Sequence, residues 1–197
     1  VTPRTRSQQR EQTRQRLLEA AVSCLVDYGY AGTTTQRVQE RAEVSRGALL
    51  HHFASKAELL VAAIHLIAED RLNLIHAATD GIEPGPKAFS QVVSAIQTAM
   101  SGPPFVAALE LWMSSRTDAE LRSALVPAER RLGKALRDIF GRALGDQDPR
   151  QTRVAFDSLV VLLRGLAVTN VLREDKKRTD DIMRYWLERM APNEGES

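Results

Sequence analysis

Apolar residues recur along this chain at intervals of three and four, with almost no two-residue alternation, so the pattern predicts helices and no sheet. Leu17, Ala21 and Leu25, with Leu18 and Val22 beside them, mark one face of a first helix that Gly29 stops. Thr33, Thr34 and Thr35 offer hydroxyl caps for a second helix with Val38 and Ala42 facing inward. After Glu43-Val44, Ser45 caps a short third helix in which Leu49 and Phe53 share a face. Ser55 caps a fourth, whose Leu60, Ile64, Ile67 and Ile75 run on towards Asp80-Gly81. At about 1.5 Å per residue it is a rod of roughly 36 Å.

Beyond the Glu83-Pro84-Gly85-Pro86 loop, five further helices are expected. One lies around residues 87–100, and a second, after Gly102-Pro103-Pro104, carries Leu109, Trp112 and Met113. A third runs from a cap at Asp118 to about Leu144, with Pro127 inside it. Asp148-Pro149 opens a fourth reaching Leu172, and the last spans Asp180 to Met190. The expected fold is therefore all-α with about nine helices: a basic arm and three-helix head over residues 1–55, then a larger helical body over 56–197. The helix near 151–172 is apolar on nearly all sides in its second half, and the body is not large, so it and the helix at 180–190 are read as a homodimer surface, with burial in this chain's own core as the alternative.

Composition adds one asymmetry. The 197 residues carry a formal charge of only +2, but residues 1–60 hold nine Lys/Arg against six Asp/Glu, and five of those arginines fall within the first 16 residues. A basic end on a neutral body is suited to phosphates. Cys24 is the only cysteine, which excludes an internal disulfide and agrees with a reducing compartment. No apolar segment follows the N-terminal arginines as a secretory signal requires. The apolar run 159–172 is broken by Arg164, Gly165, Thr169 and Asn170 and falls short of the roughly 20 residues of a bilayer span. The expected location is the cytoplasm, with no membrane partner.

Catalysis and metal binding find no constellation. His65 and His76 share a helix face, but eleven residues separate them by about 16 Å. His51 and His52 point in different directions, and there is no phosphate-binding glycine loop or nucleophile elbow. Neither a catalytic residue, a metal ligand nor a cofactor is assigned.

Residues 16–60 closely resemble the DNA-binding head of TetR-family regulators. The shared positions are Leu18-Glu19-Ala20-Ala21, Tyr28-Gly29-Tyr30, Thr33-Thr34, Ala42, Val44-Ser45, Gly47, Leu49, His52-Phe53, Ser55-Lys56 and Leu59-Leu60. The resemblance implies a helix-turn-helix protein that binds a palindromic operator as a homodimer. It implies that Ser45, Arg46, Gly47 and Ala48 enter the major groove, Arg46 with two donors for guanine and the small pair allowing close approach. Thr33, Thr34, His52 and Lys56 would meet phosphates. Leu50 stands where the family has a tyrosine on phosphate, so that contact is either lost or taken over by His51. Arg4, Arg6 and Arg10 would reach a neighbouring minor groove. Glu43 stands where the family has a glycine, and it must accept whatever backbone angle the turn demands.

The resemblance also implies a repressor released by a small apolar or amphipathic effector. Phe89, Val93, Ile96, Met100, Phe105, Leu109, Trp112 and Met113 are the expected lining, with Arg116, Glu110 or Asn170 as polar groups. A ligand-independent or partner-controlled regulator, or an activator with the same head, fits the same residues.

Overall fold

The computed structural model describes residues 5–79, 81, 85–145 and 147–191, and for residues 70, 71, 74, 78 and 79 the backbone alone. Among them are nine helices and no strand. The chain gathers into two compact units, one built from the residues up to Ile67 with Ala107–Glu129, the other from Ala68–Val106 and the residues from Arg130 onward.

The first unit opens with α1 (Arg6–Gly32). It begins eleven residues earlier than the apolar periodicity, because Thr5 and Gln8 form a reciprocal capping box at its start. Leu17, Leu18, Ala21, Cys24 and Leu25 are buried. Gly29 breaks the helix with φ +65°, the left-handed region open to glycine. The hydroxyl of Thr34 accepts from Arg37 N at 3.2 Å and starts α2 (Thr35–Ala42). Ser45 accepts from Ala48 N at 3.2 Å and starts α3 (Arg46–His52).

Between them Glu43 sits at φ +54°, so the residue that replaces the family's glycine does adopt a left-handed angle. That strain costs about 1–2 kcal/mol. In α4 (Lys56–Thr79) the Ser55 hydroxyl accepts from Glu58 N at 3.1 Å. Val38, Leu49, Phe53, Leu59 and Leu60 close the core together with Ala107 and Leu111 of α6 (Gly102–Ser114) and Leu121 and Leu125 of α7 (Ala119–Leu144). The head is thus finished by segments some fifty residues further along the chain.

The second unit is built on α5 (Pro86–Ala99), the later part of α7, α8 (Pro149–Leu172) and α9 (Lys176–Met190). Its centre is aromatic. Phe89 meets Phe140 edge-on at 5.4 Å and stacks on Trp186 at 6.0 Å, and Phe140 meets Phe156 at 5.6 Å. The Trp186 indole N–H donates to the Ser158 hydroxyl at 3.1 Å, which satisfies the one polar atom of this cluster's tryptophan.

α8 corrects one expectation. Counted as a whole helix of 24 residues, it is long and apolar enough by length and composition to cross a bilayer. Only 28% of its most apolar stretch is buried within the chain. Val154, Val161, Val168, Val171 and Leu172 stand exposed on it.

Candidate nucleic-acid interface

The third helix presents its polar side outward. Arg46 and Gly47 are exposed at its start, Ala48 is half-buried, and Leu49 is the anchor beneath. Leu50 is half-exposed and His51 exposed at its far end, where His52 is half-buried. Gly47 has no packing reason to be glycine: a Cβ there would find only Ser45 Oγ, at 4.0 Å.

The N-terminal half of α1 runs beside this surface. The Arg14 guanidinium lies 5.7 Å from the centre of the Phe53 ring. Burial holds the His52 imidazole below its ordinary pKa, with the charges of His51, Arg10 and Arg14 acting in the same direction and Glu11 opposing them. Arg6 and Arg10 are exposed on a capped helix rather than on a loose arm, and Arg4 lies outside the described residues.

Two expected phosphate contacts point elsewhere. Thr33 is completely buried, and its hydroxyl donates to the Gly29 carbonyl at 2.7 Å, which closes the kinked end of α1. In this conformation it presents no group to DNA. The Lys56 ammonium donates to the Tyr30 carbonyl at 2.8 Å and lies 4.3 Å from the centre of the Tyr30 ring. Burial lowers its pKa, with Asp118 opposing. Lys56 therefore fastens a turn. Thr34 stays exposed at the start of α2.

Around that turn lies a cluster that sequence reasoning missed. Glu110 accepts from the Tyr30 backbone N–H at 2.6 Å, and the Tyr30 hydroxyl donates to Asp118 at 2.5 Å. Burial and then that hydrogen bond push the Tyr30 pKa up to about 12. Asp118 is held below the ordinary carboxylate value, first by the Leu121 N–H it accepts and next by Tyr30. Partners 80 and 88 positions away in sequence leave no local signal. Arg37 and Arg41 were also passed over, although their i, i+4 spacing on α2 was visible. They lie 4.5 and 5.6 Å from the centre of the Tyr28 ring, Arg41 paired with Asp27 at 2.6 Å.

The expected effector-lining residues are shared between the two units. Phe89, Val93, Ile96 and Met100 are buried in the second cluster and Phe105 packs against it. Trp112 packs against the first cluster, and Leu109 is half-buried. Met113 is 70% exposed and Arg116 is on the surface.

A capped helix with an exposed basic and small-residue face, braced by a second helix across a tight left-handed turn, defines a helix-turn-helix DNA-binding protein. Comparison with known families matches residues 17–63 to the bacterial regulatory proteins of the tetR family. Over 191 residues, covering 94% of this chain and 92% of the relative, it is 28% identical to the HTH-type transcriptional regulator CymR of Pseudomonas putida. It is 29% identical over 155 residues to the HTH-type transcriptional repressor AcnR of Corynebacterium efficiens, covering 77% of this chain and 76% of that one. The fold matches that of the multidrug binding protein EbrR complexed with imidazole, with a TM-score of 0.71, 21% identity, and coverage of 99% of this chain and 100% of the other. Residues 17–63 thus carry the DNA-binding segment of the tetR family, and the relatives that the chain resembles along most of its length are named regulators of transcription.

Proposed function

We propose that this chain is a homodimeric cytoplasmic repressor that binds a palindromic operator and is released from it by a small apolar or amphipathic molecule. Residues 1–55 act as the DNA-binding part and residues 56–197 as the regulatory and dimerising part. Arg46 reads a base edge, Ser45, Gly47 and Ala48 line the close approach, and Thr34, His51 and His52 meet phosphates. Leu50 makes apolar contact beside them, and Arg4 and Arg6 extend the basic surface. The observation that carries this reading is the exposed, space-rich start of α3 at Arg46-Gly47.

AcnR, named a repressor, supports the direction of regulation. EbrR, named a multidrug binding protein, supports a small-molecule input. Phe89, Val93, Ile96, Met100 and Phe105 offer apolar chemistry for it within the second unit. The same residues also favour a second reading, a regulator that needs no ligand, because Phe89, Val93 and Ile96 are already closely packed.

Selection of duplexes from a random pool tests the central reading. The wild type should enrich an inverted repeat. Arg46→Ala should cost about 1–3 kcal/mol on that repeat and flatten preference at one position of each half. An equal loss on scrambled DNA would remove Arg46 from base reading. A compound that raises the melting temperature and releases the repeat separates the ligand-controlled reading from the ligand-independent one.

A further inference from the structure

We propose that Glu110 is a positioning residue for operator binding, the point through which α6 holds the DNA-binding head in its binding geometry. The inference rests on the helix-turn-helix reading and adds a residue outside the head to it.

The chain leaves the α1 helix at Gly29, turned by a φ of +65° and a ψ of −176°. The next N–H, that of Tyr30, is supplied with an acceptor by the Glu110 carboxylate at 2.6 Å. A Cβ on Gly29 would stand 2.7 Å from Glu110 Oε1, so the glycine admits both the backbone angle and the carboxylate. The carbonyl of the same Tyr30 accepts from Lys56 of α4, and its hydroxyl donates to Asp118, the residue just before α7. One residue is thus held at its N–H, its carbonyl and its side chain by three later parts of the chain.

From Tyr30 the backbone leads directly into α2. Both the N–H and the hydroxyl of Thr33 return to the Gly29 carbonyl, at 3.1 and 2.7 Å. Thr34 then caps α2, which braces α3 across the Glu43 turn. The direction of α2 is therefore set at a turn whose fixed points lie on α4, α6 and the start of α7. A carboxylate accepting from an amide makes a strong, directional bond, so α6 and the turn move as one while it holds. Preorganisation of this kind favours the specific complex over loose electrostatic contact.

The test uses the inverted repeat selected by the wild-type protein, with a scrambled duplex as the second probe. Glu110→Ala should weaken binding to the repeat roughly tenfold to a hundredfold, the range of one lost hydrogen bond to a charged group. Binding to the scrambled duplex should change by less than about twofold, because phosphate contacts tolerate a loosely held head. Glu110→Gln retains a carbonyl oxygen at the same reach and should recover most of the affinity. Amide exchange at Tyr30 should quicken in Glu110→Ala and return towards the wild-type rate in Glu110→Gln.

If Glu110→Ala does not fold, the comparison is made with Glu110→Asp, whose shorter side chain withdraws the acceptor. Wild-type affinity for the repeat with accelerated Tyr30 exchange would overturn the proposal. So would an equal loss on both duplexes. Failure of the wild type to enrich any duplex would instead overturn the DNA-binding reading beneath it.

Discussion

Gly29 and Gly47 carry the same side chain for opposite reasons. At Gly29 the backbone angle is left-handed and the Glu110 carboxylate occupies the place of a Cβ, so the fold itself requires glycine. At Gly47 the fold requires nothing: the space is open and the residue lies in a helix, where alanine is favoured by up to about 0.5–1 kcal/mol. A surface left bare against helix propensity is explained by a body that must come close to it. Gly47→Ala should therefore raise the melting temperature slightly while weakening binding to the selected operator. Calorimetry and a DNA titration on the same sample check both halves. Undiminished affinity would mean that the start of α3 is not seated against DNA. Thr33 and Lys56 show where reading by residue type ran short. A hydroxyl and an ammonium near a helix start suit phosphate in general, but their actual partners, the Gly29 and Tyr30 carbonyls, exist only because the chain turns at Gly29.

Among the elements, those with an apolar stripe were legible and the one without was not. The 3.6-residue period marked the helices, and Thr34, Ser45, Asp148 and the glycine at position 29 marked their ends, because caps and stops act through neighbouring atoms. The N-terminal turns of α1 carry no stripe. They depend on the Thr5–Gln8 box and on polar pairs such as Gln15 with Glu19 at 3.0 Å, a helix that periodicity does not reveal. The difference matters for function. As an extended arm, these arginines would each find their own way into a groove. On a helix, Arg6, Arg10 and Arg14 recur every four residues along roughly 12 Å of one side, with Arg10 and Arg14 near enough to His52 to act on its charge. Such a row suits the spacing of a phosphate backbone better than insertion among bases. Changing all three to glutamine should lower the slope of log affinity against log salt by about 2–3 for each head, and equally on operator and scrambled DNA. Titrations between low and moderate salt measure it. A slope unchanged by the triple substitution would detach this helix from the interface.

For the whole molecule, the outer side of α8 is the feature a single chain leaves uncovered. Val154, Val161 and Val168 repeat every seven residues, Val171 and Leu172 continue the row, and Tyr185 of α9 is exposed as well. Between Val161 and Val168 lies Gly165, exposed and with nothing near the position of a Cβ, which leaves room for another backbone to approach. A seven-residue apolar row on a helix suits the matching row of a second copy. A twofold dimer also meets the needs of an inverted repeat, since each half-site then finds one head, and joining the two raises affinity without a new contact. The sequence pointed to this pair of helices because the second half of α8 is apolar nearly all round in a body of modest size. Which residues face outward became legible only with the core of Phe89, Phe140, Phe156 and Trp186 in place. In a dimer paired through α8, Val161→Glu would introduce a charge that twofold symmetry places in the interface twice. At about 2 kcal/mol or more in each copy, the dimer should weaken by roughly a thousandfold or more. Val126→Glu, at a valine on α7 that is 37% exposed, serves as the comparison. Sedimentation should find the first variant monomeric at micromolar concentration with its helical signal intact, and the second still paired. The monomer should keep weak, salt-sensitive affinity for any duplex and lose its preference for the inverted repeat. A Val161→Glu protein that still sediments as a dimer would move the interface away from α8.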